Sequence, residues 1–410
     1  MDFTEAEYKR AKERWVSDLS GGSITEINVL AVVLLASYLL WTLLANRSFL
    51  LPTTATATTF FQEYLLLTLP ILLAMTIAAN HLIPFSVALL SASALISVLS
   101  APAPTKETKE PNTSDDAKPA PNQVKNHKPF LSAYRAVMML MTCASILAVD
   151  FPIFPRRFAK VETFGTSLMD LGVGTFVFSS GIVASRAYLR KSAEQTSLPK
   201  QLLSAVRSSL PAIILGFARF ALTKGVDYQE HVSEYGAHWN FFFTLGFLPP
   251  FVTLLAALRP SRVPFGVLGI IVGSAYQFTL YHGLQHYILE HPRVDVVSAN
   301  KEGICSFVGY LAIFLLGLDA GSYLLQPVAS ERSRSDSHTL MSQAATFWSL
   351  FGLWSYAIAG GGEKTGFEVS RRMVWSLSFL GTRVPNVTHT HPPSLLFLGQ
   401  PPLHLLGRRL

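Results

Sequence analysis

About ten blocks of apolar residues, each near the length of about twenty that carries a helix across a bilayer, follow one another along this chain. They fall at 27–45, 60–77, 83–99, 131–149, 167–184, 202–222, 239–258, 263–280, 305–325 and 344–359. Backbone in hydrocarbon must satisfy its own hydrogen bonds, so such blocks fold as helices or as a closed barrel. The ten-residue alternation of barrel strands is missing. The expected fold class is all-α, a polytopic transmembrane helical bundle. Pro211, Pro249, Pro250, Gly172 and Gly174 lie inside blocks, where packed neighbours re-satisfy the backbone. With 50% hydrophobic residues, 14% charged residues and a mean hydropathy of +0.35, the chain is unlike a soluble domain. One membrane-embedded domain is expected over 1–372, interrupted at 101–128 by a Pro-, Lys- and Thr-rich loop too polar to order itself. An atypical tail follows at 373–410. No internal repeat marks the inverted halves common in secondary transporters.

The formal net charge is +7. Its Lys and Arg residues cluster between apolar blocks without the interleaved aromatics of a nucleic-acid surface, so no nucleic acid is expected as a partner. The loops after the first, third, fifth, seventh and ninth blocks hold about fourteen cations, among them Lys106, Lys125, Arg186, Arg259 and Arg332, against about six in the loops that alternate with them. Positive charge stays on the cytosolic side, which puts 101–128 in the cytosol and the segments 150–166 and 281–304 on the opposite face. The amino-terminal cluster of Lys9, Arg10, Lys12 and Arg14 opposes this orientation weakly. The sequons at Asn46 and Asn112 then face the cytosol and stay unmodified. Cys143 and Cys305 both lie in apolar blocks and support neither a disulfide framework nor a thiolate metal site. The first block exceeds a signal-peptide core and lacks a following cleavage site, so it reads as a retained span.

Two segments on the face away from the cytosol carry most of the charge close to the membrane. The first runs from Asp150 through Arg156, Arg157, Lys160, Glu162, Thr166 and Ser167 to Asp170. Taken singly, these charges need be no more than snorkelling side chains and helix ends. Together they make a candidate site. Pro152 and Pro155 stiffen the link, so Asp150 is expected beside Lys160, with the rings of Phe151, Phe154 and Phe158 burying the loop in the interface. A carboxylate next to a cation in a partly dry site is a usable base, and two arginines suit a phosphodiester. Asp170, one turn into the next block, is expected to line a polar cavity. The second segment holds Tyr281, His282, Gln285, His286, His291, Arg293, Asp295, Asn300, Lys301 and Glu302. His282 and His286 stand one turn apart, but no acidic pattern completes a zinc motif, and no metal is expected. Asn300, Lys301 and Glu302 read equally as helix caps or as ligands for head-group hydroxyls. No phosphate-binding glycine loop or nucleophile elbow occurs.

At these residues the chain resembles the eukaryotic GPI-anchor inositol acyltransferase family, the glucosaminyl-phosphatidylinositol acyltransferases, in its fungal form. The resemblance rests on Gly21-Gly-Ser-Ile-Thr-Glu-Ile-Asn28, on Asp150 through Gly174 and on Ser298-Ala-Asn-Lys-Glu-Gly303, and covers residues 5–372. It implies a multi-pass enzyme of the endoplasmic reticulum membrane with a lumenal active site. That enzyme is an acyl-CoA-dependent O-acyltransferase, with palmitoyl-CoA as the usual acyl donor. The acceptor is the inositol 2-hydroxyl of glucosaminyl-phosphatidylinositol (GlcN-PI), in a bed of membrane lipids. Acyl-CoA is then a co-substrate, and no bound cofactor is implied. By the resemblance Asp150 and Lys160 are the catalytic pair. Arg156 and Arg157 are expected to hold the lipid or CoA phosphates, and Glu162, Ser167, Asp170, Asn300, Lys301 and Glu302 to line the substrate. Two alternatives stand beside this reading: a non-enzymatic lipid transporter or scaffold of the GPI pathway, and an acyltransferase whose base is His282 or His286. The family continues beyond Arg371 and Arg372 with more apolar spans, about thirteen in all. The stretch 373–410 is therefore expected to reflect an altered reading of the gene and to form no native bundle of spans.

Overall fold

The computed structural model describes residues 19–45, 57–99, 129–161, 165–193, 197–224, 232–260 and 262–325, with positions 4, 7 and 11. Block 344–359, the loop 101–128, the tail, the amino-terminal basic cluster, both sequons and Glu162 lie outside these residues. Among the described residues, helices occupy the nine remaining blocks, and the chain is an all-α, multi-pass membrane protein.

The long elements are α1 (Ile24–Ala45), α2 (Ala57–Met75), α3 (Leu82–Leu99), α4 (Pro129–Asp150), α5 (Leu168–Ala193) and α6 (Leu198–Lys224). A short α7 (Val232–Tyr235) precedes α8 (Phe241–Leu258) and α9 (Phe265–Thr279). Two further short helices, α10 (Gln285–Glu290) and α11 (Val296–Ala299), lead into α12 (Lys301–Leu324). Among the described residues, eight helices are long and apolar enough to cross a membrane. The ninth block differs. Its helix α9 has 15 residues, a rise of about 22 Å, and continues through a π-helical turn at Leu280–Leu284 into α10. Gly283 in that turn has φ 118°, a conformation that breaks the helix and that glycine adopts without a Cβ penalty.

Contacts divide the chain into two units. One contains residues 25–45, 57–99 and 129–137 of the described chain. Here α1 buries Ile27, Leu30, Val33, Ser37 and Trp41, a single stripe at helical spacing. Hydroxyls in these apolar helices find partners one turn back: Ser37 donates to the Val33 carbonyl at 2.8 Å, Ser86 to Leu82 at 2.7 Å and Ser93 to Leu89 at 2.9 Å.

The other unit contains residues 19–24 and 138–325 and is built around α12. In α12, 78% of the span is buried, against 17% in α6, so α12 is the central helix and α6 presents most of its surface outward. Helices α5 and α9 flank α12, α8 also meets it, and α6 packs on α8. The α5–α12 crossing brings backbone against backbone. A Cβ on Gly317 would lie 2.2 Å from the Phe178 carbonyl oxygen, and one on Gly321 would lie 2.4 Å from that of Ile182. Gly317 and Gly321 are four apart on one face, the small-residue spacing by which membrane helices approach closely. Asp319, between them in sequence, sits against the start of α9, where a Cβ on Gly266 would lie 2.8 Å from its Oδ2. A carboxylate there faces the positive end of the dipole of a neighbouring helix.

Candidate functional site

Where α4 ends at Asp150 the chain turns through Pro152 and Pro155 into a single 3-10 turn, Arg156–Phe158. Phe158, Ala159 and Val161 are fully buried and Phe154 nearly so, which fixes the path of the loop. Phe151 and Ile153 differ from the rest. They are 54% and 60% exposed, so Phe154 and Phe158 pack within the protein while Phe151 and Ile153 point away from it. Arg156 and Arg157 are half-buried, and the Arg157 guanidinium lies 5.2 Å from the centre of the Phe158 ring. Asp150 is exposed, and its carboxylate accepts no hydrogen bond and forms no ion pair among the described residues.

Lys160 is held elsewhere than expected. Its ammonium pairs with the Glu234 carboxylate on α7, with the two side chains 14% and 22% exposed. The expected Asp150–Lys160 ion pair does not form. The 3-10 turn and the buried Phe158–Ala159 step set the Lys160 ammonium against α7.

Ser167 and Asp170 begin α5 as a reciprocal cap. The Ser167 hydroxyl donates to Asp170 Oδ2 at 2.8 Å and accepts from the Asp170 amide at 3.2 Å. Asp170 Oδ2 also accepts from the Val161 amide at 3.1 Å, tying the loop to the helix it enters. Two distant stretches meet just before this cap. The Gly22 amide donates to the Thr166 carbonyl at 2.8 Å, and the Thr166 hydroxyl donates to the Gly22 carbonyl at 3.1 Å. Gly21 and Gly165 beside the bridge have φ of 77° and 126°, and a Cβ on either would lie within 2.4 Å of a backbone oxygen across it. The Gly21–Asn28 and Asp150–Gly174 stretches are therefore spatial neighbours at this point.

The Ser298–Gly303 stretch closes the same end of the unit. Asp295 caps α11 by accepting from the Ser298 amide at 2.6 Å, and Ser298 donors hold the Asp295 carboxyl below the usual carboxylate range. Asn300, buried, accepts at Oδ1 from the amides of His238 (2.8 Å) and Trp239 (2.9 Å) and donates from Nδ2 to the Val296 carbonyl at 2.8 Å. Lys301, 3% exposed, donates to the carbonyls of Tyr287 and His291 at the end of α10, where a cation satisfies orphan carbonyls and opposes the helix dipole. Glu302, 1% exposed, takes a two-point ion pair from Arg293 at 2.9 and 2.5 Å. All three side chains expected to meet head-group hydroxyls are engaged by the chain's own groups. Their direct partners are loops and helix ends.

The histidines go separate ways: His282 packs against Phe278 with ring centres 4.1 Å apart and planes tilted by 56°, and His286 meets Glu290 at 3.1 Å. Among the described residues no group of three or more His, Cys, Asp and Glu is placed to hold a metal ion. Sequence reasoning missed Glu234 and the 236–240 turn. Short polar loops without a motif carry no local signal, and the stretch between the sixth and seventh blocks holds three acidic residues, Asp227, Glu230 and Glu234, with nothing in the sequence to single out one as the partner of Lys160.

The class defined by this fold and site is a multi-pass helical membrane protein. In it three loops, 150–167, 232–240 and 291–300, knot together at one end of a bundle and leave a free carboxylate beside them. The chain belongs to the GWT1 family, whose model matches residues 8–381. It is similar to GPI-anchored wall transfer protein 1 of Gibberella zeae, 43% identical over 400 residues that cover 91% of this chain and 79% of that protein. The protein of the same name from Aspergillus fumigatus is 43% identical over 392 residues, 90% of this chain and 77% of the relative. For that of Saccharomyces cerevisiae the figures are 41% over 329 residues, 77% and 65%.

Proposed function

We propose that this protein works in GPI-anchor biosynthesis at the endoplasmic reticulum membrane, transferring a palmitoyl-type chain from acyl-CoA to the inositol 2-hydroxyl of GlcN-PI on the lumenal side. Family membership and the name shared by its relatives support the pathway. The observation that carries the chemistry is the Asp150 carboxylate, exposed at the end of a membrane helix and without a partner among the described residues, on the same loop as the held ammonium of Lys160.

An inositol hydroxyl is a poor nucleophile at neutral pH. Asp150 accepts its proton as the oxygen attacks the thioester carbonyl, giving a tetrahedral oxyanion. That intermediate collapses with cleavage of the carbon–sulfur bond. CoA leaves as a thiolate and takes the proton from Asp150, so the carboxylate is regenerated and the ester is formed. The ammonium of Lys160 supplies fixed positive charge for the developing oxyanion, and Arg156 and Arg157 supply charge for the phosphates of lipid or CoA.

The direct assay gives membranes GlcN-PI and labelled palmitoyl-CoA and weighs the lipid product. Wild-type protein should raise the lipid mass by one acyl group in an acyl-CoA-dependent manner. Asp150→Asn should reduce the rate at least ~10²-fold, the lower range of a lost general base. Undiminished product from that variant removes Asp150 from the mechanism, and movement of GlcN-PI without a change of mass would identify a transporter.

A further inference from the structure

An ammonium on a flexible four-carbon stem is poorly aimed unless both of its ends are held. At Lys160 the backbone end is fixed by the 3-10 turn and the buried Phe158 and Ala159, and the charged end is fixed by Glu234. Glu234 sits on α7, a helix of 4 residues that cannot hold its own position. Its exit is clamped instead. Gly236 has φ 109° and lies so close to Asn300 that a Cβ would come within 2.5 Å of the Asn300 Cα. The Ala237 amide donates to the Ala299 carbonyl at 2.9 Å, and the next two amides donate to Asn300 Oδ1. Across the same contact a Cβ on Gly303 would lie 2.3 Å from the Trp239 ring. A continuous set of contacts therefore runs from the start of the buried central helix α12, through the 236–240 turn, to Glu234 and on to Lys160.

We infer that Glu234 is the positioning residue for Lys160, aiming its ammonium at the acyl-transfer site without itself touching substrate. This rests on the acyl-transfer reading given above. Glu234 takes the role of counter-ion that Asp150 would otherwise fill, which leaves the Asp150 carboxylate to deal with the hydroxyl proton. When the charge on Glu234 is removed, the ammonium loses its aim while the binding surfaces stay in place. The chemical step slows and ground-state binding does not.

The test uses the full-length protein in membranes and has two readouts: kcat and KM for acyl transfer to GlcN-PI, and the rate at which an amine-reactive reagent labels Lys160, followed by peptide mass spectrometry. For Glu234→Gln, kcat should fall ~10²-fold, the size of effect a small misplacement of a catalytic group produces, with KM changed less than about twofold. Lys160 should label several-fold faster than in the wild type. Glu234→Asp, which keeps the charge one methylene short, should recover part of kcat and part of the protection. Wild-type kcat in Glu234→Gln alongside an inactive Lys160→Ala overturns the positioning role and leaves the acyl-transfer reading standing. A fall in kcat with unchanged Lys160 labelling also overturns it, as a general structural loss. Full activity of Lys160→Ala overturns the positioning role by removing Lys160 from the mechanism, whereas wild-type protein that transfers no acyl group overturns the acyl-transfer reading itself. If Glu234→Gln does not accumulate, Glu234→Asp decides the question: wild-type values of both readouts overturn the proposal, and intermediate values support it.

Discussion

Burying a carboxylate as deeply as Glu302 costs several kcal/mol unless a partner and hydrogen bonds replace its water. Arg293 is that partner, and its planar fork meets both carboxylate oxygens while also donating to the Ala299 carbonyl at 3.0 Å. Arg293→Ala leaves the charge on Glu302 buried and alone, so it should destabilise the protein by about 3–5 kcal/mol. Thermal unfolding of the purified protein in detergent measures this directly. Arg293→Lys should recover little, because a point ammonium cannot supply two parallel bonds. A melting temperature within a degree or two of wild type in Arg293→Ala would show that the pair contributes nothing to the fold. At this scale the sequence was ambiguous for a definite reason. Asn300, Lys301 and Glu302 have the same spelling whether they face a lipid head group or the chain's own helix ends, and their partners Arg293, Tyr287 and His238 are chosen by the folded path.

Helix α12 owes its central place to the contact it makes with α5. In a bilayer no hydrophobic force drives helices together, so association depends on close packing and on satisfied polar groups. Gly317 and Gly321 supply the first, and the Asp319 carboxylate set against the first turn of α9 supplies the second. Gly317→Val would place branched carbon where 2.2 Å separates a Cβ from the Phe178 carbonyl. Overpacking of this kind costs about 1–3 kcal/mol and more when backbone must yield. The variant should accumulate less and lose its monodisperse peak in detergent size-exclusion chromatography at lower temperature than wild type. Gly283→Ala provides the contrast: nothing lies within 4 Å of a Cβ there, and its cost, about 1–2 kcal/mol, should come from φ alone. Equal damage from both changes would contradict the assigned crossing. The apolar blocks were readable as helices because hydropathy is summed over a window, but the π turn that divides the block at 263–280 from its continuation was not. It depends on one residue's backbone angle.

Three loops at one end of the unit built around α12 must share one face of the membrane, because Lys160 pairs with Glu234 and Asn300 binds the amides of His238 and Trp239. Ile153, 60% exposed, and Val294, 77% exposed, are suitable reporters on two of these loops. Single cysteines at the two positions, in a background lacking Cys143 and Cys305, should react with an impermeant maleimide from the same side. A cysteine at Thr113 in the Lys-rich loop should react from the other side, by the positive-inside rule. Opposite labelling of Ile153 and Val294 would contradict the packing of the loops. Thr113 labelled together with them would instead reverse the proposed lumenal placement and leave the packing untouched.

By itself the sequence determined that this is a multi-pass helical protein, where eight of its spans lie, and that the charge worth attention gathers in 150–170 and 281–304. These are local properties, set by runs of transfer free energy and by the cost of charge in hydrocarbon. The resemblance carried by the Asp150–Gly174 stretch led to the right family for the same reason, since a motif is a contiguous string. Tertiary structure alone decided which charges meet. It gave Lys160 to Glu234, turned Asn300, Lys301 and Glu302 inward, and set Gly22 against Thr166, 144 residues away in the chain. Partner choice between short-range polar groups is settled within a few ångströms, and that distance is fixed by how whole helices pack, a quantity that no window of neighbouring residues contains.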